Sequence, residues 1–368
     1  MAERTLTLHE LNRSTLARQM LLERTSLPTL AAMRQLIALQ AQLPNSPYIG
    51  LWTRLRSYER SELVRMVEDR QAVRATMMRA TLQLMAAEDY ALLRSALQPA
   101  LTRSLSAFFG KQVQQLPIDR FVDAARVYIQ EQPRTFVEIR AKLAELFPDV
   151  DPALLAYAVR MHLPLVQVPP GGLWDFTGSP AMTLALTWLE RPLADAEEGL
   201  HSLILRYLAT YGPATVKDLQ TWSGLTGLKD VVKAYKPALR TFRDEQGNEL
   251  LDLIDAPLPE ASLPVPPRFL PEFDNLLLAH ADRRRIIADE YRSSVFLTVG
   301  RVRATFLIDG FVNGTWKTEQ TRKTARLLLE PFQPLATTIR AALIEEGERL
   351  LRWFYYEAET FEIQVVEA

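Results

Sequence analysis

The chain has 368 residues, 48% apolar and 24% charged, with a formal net charge of −1; this is the make-up of an ordinary globular protein, long enough for two or three domains or several small modules. Zero cysteines exclude disulfides, thiolate nucleophiles and cysteine-based zinc sites, and four histidines far apart in sequence (His9, His162, His201 and His280) give no metal-binding spacing, so neither metal nor cofactor is expected. No run of eighteen apolar residues marks a membrane span, and Met1-Ala2-Glu3-Arg4-Thr5 lacks the basic and apolar regions of a signal peptide, so the expected compartment is the cytoplasm.

From the N-terminus, residues 5–24 predict an amphipathic helix, with Leu8, Leu11, Leu16 and Met20 on one side and Arg13, Arg18 and Arg24 on the other. Ser26-Leu27-Pro28 supplies a cap and a proline start for a second helix. Its apolar stripe, Leu30, Met33, Leu36 and Ile37, runs onto Gln40 within Leu39-Gln40-Ala41-Gln42-Leu43-Pro44. An amide where the pattern expects an apolar side chain needs hydrogen-bond partners once buried. On a continuing helix Gln40 and Gln42 would point about 200° apart. Pro44 and Pro47 end the helix, and in extended chain residues i and i+2 point the same way. The pair therefore reads as two amides, one from a helix end and one from the turn after it, aimed into one cavity. Amides orient a water or read a base edge but do not titrate; the plainer alternative is a satisfied helix-end pair. Ser61-Glu62 opens a third helix over 63–69, and 72–85 reads as one or two strands. Helix, helix, helix, strands is the order of a winged helix. Residues 87–110 return to helix, broken at Pro99.

An internal repeat follows. Pro133-Arg134-Thr135-Phe136-Val137-Glu138-Ile139 matches Pro213-Ala214-Thr215-Val216-Lys217-Asp218-Leu219, and in each copy the threonine and the acid three residues later form a capping box. Each copy lies between helices (119–131 and 151–163; 199–211 and 226–236) and leads to a predicted strand pair (165–168 with 172–176; 239–242 with 250–253). Three helices plus a hairpin, twice more, makes three tandem winged-helix modules, at 1–118, 119–196 and 197–256. Residues 256–271 carry six prolines and form an extended connector. Beyond it, 302–308 and 311–317 read as a hairpin turning at Asp309-Gly310, with a strand at 325–330, a helix over 334–353 and a last strand from Thr360 to Val366. The expected fold is mainly α with an α+β C-terminal part. Its C-terminal β-domain, 257–368 with the connector, is a small barrel or curled sheet.

Charge is unevenly spread. Residues 1–120 hold 16 Lys and Arg against 10 Asp and Glu, 121–200 hold 6 against 11, and 280–326 hold 10 against 5, so two basic segments flank an acidic middle. In the first segment every cation but Lys111 is arginine, the better fork for phosphates and base edges. No G-x-x-x-x-G-K-[ST] and no G-x-S-x-G occurs, which argues against a P-loop enzyme and an α/β-hydrolase.

Several stretches together carry a family resemblance. They are Leu39-Gln40-Ala41-Gln42, the run from Val73 to Leu82 (Val-Arg-Ala-Thr-Met-Met-Arg-Ala-Thr-Leu), Leu163-Pro164-Leu165-Val166-Gln167-Val168-Pro169, Thr221-Trp222-Ser223-Gly224-Leu225 and, above all, the run from Pro267 to Arg283 (Pro-Arg-Phe-Leu-Pro-Glu-Phe-Asp-Asn-Leu-Leu-Leu-Ala-His-Ala-Asp-Arg). The chain resembles, over nearly its whole length, the AlkZ-like bacterial DNA glycosylases, the winged helix DNA-binding domain-containing proteins. That resemblance implies tandem winged helices and a C-terminal β-domain forming a C-shaped concave surface for DNA. The activity implied is excision of alkylated purines and unhooking of interstrand crosslinks. The family's Gln-x-Gln motif, Gln-x-Asp in the YcaQ-type branch, falls on Gln40 and Gln42.

The expected function is thus a cofactor-free, monofunctional DNA glycosylase, acting as a monomer on double-stranded DNA that carries alkylated bases or crosslinks, in the cytoplasm and on the nucleoid. N3- or N7-alkylated purines are cationic leaving groups, so the chemistry reduces to placing a water and supporting charge on the sugar. A Schiff-base lyase needs a positioned lysine, and residues 1–110 contain none. Beside the catalytic candidates Gln40 and Gln42, Asp274 either stabilises an oxocarbenium-like centre or orients Asn275, or else is a helix cap or structural ion pair. Tyr48 and Trp52, with Asn275, are lesion-pocket candidates, against a reading of the two aromatics as core. Arg79, Gln83, Arg283, Arg284, Arg285, Arg292 and Lys317 are DNA-contact candidates, against a solvated face. The alternative function is a non-catalytic winged-helix DNA-binding protein or transcription regulator.

Overall fold

The computed structural model describes residues 4–366; the part of the N-terminal reading before Arg4 lies outside the described residues. Three times the chain runs through one order of elements. In the first unit helix Thr29–Gln35 leads to strand Leu39–Gln40, helices Ser46–Trp52 and Arg60–Glu68, and strands Ala72–Thr76 and Leu82–Ala86. In the second, helix Ile118–Glu131 leads to strand Arg134–Thr135, helices Phe136–Leu146 and Pro152–His162, and strands Leu165–Gln167 and Ala181–Leu184. In both sheets the last strand is central and antiparallel to its two neighbours. The third unit has helices Ala196–Tyr211, Val216–Ser223 and Leu228–Tyr235 and strands Leu239–Asp244 and Glu249–Leu253. There the short first strand is reduced to one bridge, Ala214 to Leu251, and Thr5–Leu6 adds in parallel to the outer edge. The two sequence-predicted capping boxes are formed: Thr135 and Thr215 accept from the backbone N–H of Glu138 and Asp218, whose carboxylates accept from the threonine N–H groups.

The C-terminal part is an open five-stranded sheet in the order Arg268–Leu270, Thr305–Ile308, Phe311–Gln320, Thr324–Pro331, Thr360–Val365. Its two edge strands do not pair with each other, so the barrel alternative is not realised. The last two strands run parallel because helix Thr337–Phe354 carries the chain back across the sheet. Asp309 and Gly310 form the tight hairpin turn in left-handed conformation, at φ 46° and 82°. Among the described residues no helix is long and apolar enough to cross a membrane.

Two apolar cores meet at the first unit's sheet. One joins Ile37, Val73 and Met85 to Leu203, Tyr207 and Trp222 of the third unit. The other joins Met33, Leu39 and Leu84 to Phe269, Phe306, Trp316 and Leu351 of the C-terminal part. Strand Leu39–Gln40 and the turn after Ala72–Thr76 therefore lie where three parts of the chain converge.

Several local expectations change. The helix expected over 5–24 is confined to Leu8–Arg18, and its arginines do not face solvent. Arg13 pairs with Asp309, Arg18 with Asp252 and Arg24 with Glu346, stapling the N-terminal segment to the third unit and the C-terminal part. The second helix starts without a side-chain cap at Pro28 and ends at Gln35, because Ile37 turns left-handed (φ 66°) and the chain becomes extended. A helix not expected from sequence, Ser46–Trp52, takes Pro47 into its first turn, where a missing N–H costs nothing. The strand expected at 172–176 is a turn region instead, and the partner strand is Ala181–Leu184. Trp174 in that region packs against Tyr48, Trp353 and Phe354 rather than into a ladder.

Candidate active site

Gln40 sits on the first unit's edge strand, directly opposite Gln83 on Leu82–Ala86. Both are buried, at 5% and 0% exposure, in a strand pair otherwise lined by leucine, alanine and methionine. Buried amides demand partners, and a polar network supplies them. Arg79 donates from one terminal nitrogen to Gln40 Oε1 (3.0 Å) and Asn275 Oδ1 (2.8 Å), and from the other to the Trp222 carbonyl (2.6 Å). Asn275 donates through Nδ2 to the Ala38 carbonyl (2.9 Å) and to Gln83 Oε1 (3.3 Å), and Gln83 Nε2 donates to Thr81 Oγ1. The structure thus brings together Gln40, Arg79, Gln83 and Asn275.

Arg79 occupies an unusual position. It and Ala80 take left-handed backbone, at φ 56° and 57°, in the turn between the two main strands of the first unit. Non-glycine residues enter that region at a cost of about 1–2 kcal/mol each. The turn is held against the third unit: Gly224, itself at φ +81°, would place a Cβ 3.3 Å from the Arg79 nitrogen. Burial pulls the Arg79 guanidinium down to about 10, nearby Tyr211 opposes that, and the charge of Arg283 adds to it. Its cation meets the carbonyl end of helix Val216–Ser223, where the helix dipole is favourable.

Gln42 is exposed, one residue past the strand's neighbour Ala41. Its Oε1 accepts from the Leu82 N–H (3.0 Å), while the Ala41 N–H donates to the Leu82 carbonyl (2.8 Å), so the amide extends the ladder by a side chain. Both glutamine carbonyls face N–H donors, which fixes which end of each amide is oxygen. Each oxygen retains a second lone pair, and neither amide nitrogen has a protein partner among the described residues. Arg74, from the fully buried strand Ala72–Thr76, forks onto the Ala41 carbonyl from Nε (2.9 Å) and a terminal nitrogen (2.6 Å), pinning the residue between the two glutamines.

Asp274 is buried beside this network but turned away from it. Arg54 grips both carboxylate oxygens at 2.9 Å, and Asp274 caps the short helical turn Asn275–Leu278 by accepting from the Leu276 N–H. The ion pair and the cap are the structural alternatives weighed from sequence. Tyr48 and Trp52 do not form an open pocket wall. Tyr48 is fully buried with its hydroxyl donated to the Gly172 carbonyl, and Trp52 packs under Arg24 and against Trp353. They belong to the core because the unexpected helix Ser46–Trp52 turns its whole length inward. Arg285 is likewise buried, donating to the Pro213 carbonyl, and it lines a cavity with Asp282 and Arg292. Arg284 is half-buried and Arg292 exposed, and they pair with Asp282 and Asp289, while Lys317 lies 4.0 Å from Glu319. Arg283 stacks over Phe296 (4.2 Å) close enough to Arg79 to perturb it. The sequence reading missed Arg54 and Arg74. The signal for Arg74 was present: a cation inside Val73-Arg74-Ala75, as anomalous there as Gln40 in its stripe. Among the described residues no three carboxylate or imidazole side chains gather to hold a metal ion.

Three helix-and-strand units followed by an open five-stranded sheet are also the fold of a solved structure. The solved structure of Streptomyces sahachiroi DNA glycosylase AlkZ superposes with a TM-score of 0.79 over 98% of this chain and 100% of that one, at 19% identity, a likeness of fold. The chain belongs to the DNA glycosylase AlkZ-like family, whose model matches residues 33–353. A curated relative, the interstrand DNA cross-link repair glycosylase of Streptomyces sahachiroi, is 25% identical over 328 residues, covering 82% of this chain and 85% of its own.

Proposed function

We propose that this protein is a monofunctional DNA glycosylase that hydrolyses the N-glycosidic bond of N3- or N7-alkylated purines and unhooks interstrand crosslinks built on such purines. Family membership supports glycosylase chemistry, and the name of the curated relative supports the crosslink substrate. The observation that carries the reading is the Gln40-Ala41-Gln42 segment, a strand end and the turn after it. Two amides are held by Arg79, the Leu82 N–H and Arg74, and the adjacent carboxylate, Asp274, is tied up by Arg54. A strong base is not needed. The alkylated purine already carries positive charge, so the C1′–N bond breaks with its electron pair neutralising the ring. Water then adds to C1′ and gives its proton to solvent. The free lone pairs of the glutamine carbonyls orient that water and support positive charge on the sugar, an electrostatic and positional contribution.

In this reading the three repeated units are winged helices, spanning 1–118, 119–196 and 197–256, and they bind duplex DNA as a monomer together with the part after 257. Arg283, stacked on Phe296 near Arg79, and the exposed Lys317 contact phosphates. A crosslinked base cannot leave the stack freely, so the lesion is met without full extrusion. The test is base release from a duplex with one N7-methylguanine and from an N7-guanine-crosslinked duplex, read by alkaline cleavage at the abasic site. Release no faster than in buffer on both substrates refutes the enzyme reading. Sequence-preferring binding as a dimer on a palindrome would instead support the regulator alternative.

A further inference from the structure

A second cluster of arginines lies beside Gln42 and is used by none of the interactions above except one. A cavity of about 430 Å³ opens between the first and second units, lined by Gln42, Leu82, Arg74, Arg160 and Gln167 among others. Arg74 reaches it from strand Ala72–Thr76 and is buried; Arg160 reaches it from helix Pro152–His162 and is half-buried. Neither arginine has a carboxylate within ion-pair distance among the described residues. This sets them apart from Arg13, Arg18, Arg24 and Arg54, each of which meets an acid.

Their donors are only partly used. Arg74 spends Nε and one terminal N–H on the Ala41 carbonyl and another on Gln167 Oε1 (2.8 Å), leaving one N–H on each terminal nitrogen. Arg160 spends Nε on Thr76 Oγ1 (3.0 Å), and its two terminal nitrogens have no protein acceptor among the described residues. Burial lowers both groups from their ordinary value, and the charge of Arg160 adds to the effect on Arg74, which falls to about 10. Two neighbouring guanidinium groups, desolvated and lacking a counter-ion, are unfavourable in the empty protein and favourable once an anion enters. The exposed Thr177 and Ser179 of the 168–180 loop stand at the rim.

We propose that Arg74 and Arg160 form a socket for one backbone phosphate of the DNA strand that runs past Gln42. The inference rests on the DNA-glycosylase reading and names a contact of that same substrate. A phosphodiester offers two unesterified oxygens to two forks, and Gln42 of the amide pair lines the same cavity. Arg74 both forms half of the socket and donates to the Ala41 carbonyl, so the phosphate and the Gln40-Ala41-Gln42 segment are set in register by one side chain.

The test is a fluorescence-anisotropy titration of the full chain with duplexes bearing one N7-methylguanine and a single neutral methylphosphonate, moved one linkage at a time along each strand. Wild type is compared with Arg160→Gln and Arg160→Lys, substitutions at a half-exposed site that leave the buried Arg74 bonds in place. Arg160→Gln is expected to weaken binding about tenfold near 0.1 M salt and to reduce the salt slope by about one. One methylphosphonate position should weaken wild type by a similar factor, leave Arg160→Gln without further loss, and still affect Arg160→Lys. If duplex binds but every position acts equally on wild type and Arg160→Gln, the socket is refuted while the DNA reading stands. If no duplex binds, both fall. If inorganic phosphate raises the melting temperature of wild type but not of Arg160→Gln, and methylphosphonates have no effect, the site takes a free anion and the DNA assignment is overturned.

Discussion

Asp274→Asn separates a structural carboxylate from a chemical one. The side chains of Asp274 and Arg54 are 3% and 1% exposed, and the two are joined by two 2.9 Å hydrogen bonds. Asparagine keeps an oxygen for the Leu276 N–H, so the cap survives, but the charge that balances Arg54 is lost. Stranding one member of a buried ion pair costs about 3–5 kcal/mol. With an unfolding entropy of about 2.1 cal/mol/K per residue, the 368 residues give roughly 0.8 kcal/mol/K, and the melting temperature should fall by roughly 4–7 °C. Scanning calorimetry measures that drop. Single-turnover base release, run well below both transitions, should stay within a few-fold of wild type. An unchanged melting temperature with about a hundredfold loss of base release, the size expected for removing a group that positions the reactants, would refute the structural assignment.

The same network makes further predictions. Arg79→Ala frees Gln40 from its donor and should slow base release by about one to two orders of magnitude, with a smaller effect on duplex affinity in anisotropy titrations. Equal rates for the two proteins would remove Arg79 from the positioning role. Gly224→Ala should destabilise by about 1–2 kcal/mol in urea melts, because the position is left-handed and a Cβ would press on the Arg79 turn. His280 is buried with Nε2 against the Tyr211 carbonyl, and burial, aided by the charge of Arg285, holds its pKa well below the ordinary histidine value. The unfolded chain therefore binds a proton that the native protein refuses. Stability from this group is full above about pH 6.5 and is lost at about 1.4 kcal/mol per pH unit as the pH falls below that. Urea midpoints from pH 7.5 to 5 should show this slope in wild type and a shallower one in His280→Gln.

What could be read from sequence was local. The boxes at Thr135 and Thr215, the Asp309-Gly310 turn and the proline connector are set by neighbours three or four residues away, and local chemistry dictates them. Gln40 was legible for a related reason, as an amide in an apolar stripe. What escaped depends on distant partners. Arg13, Arg18 and Arg24 have the spacing of a solvated helix face and Arg54 stands apart from it, but the acids of all four lie 220 to 322 residues further on, and only the assembled fold buries the pairs. For Tyr48 and Trp52 the sequence leaves base stacking and core open, because Pro47 reads as a turn; inside a helix that takes Pro47 into its first turn, both side chains are buried in the core. Arg74 and Arg160 come from different units, and no spacing links them.

The most direct test of the central claim is base release by Gln40→Ala/Gln42→Ala on the N7-methylguanine duplex, with duplex affinity measured on the same preparations. The account predicts affinity within a few-fold of wild type and base release lowered by about two orders of magnitude or more. A double variant that binds normally and releases base at the wild-type rate would contradict it.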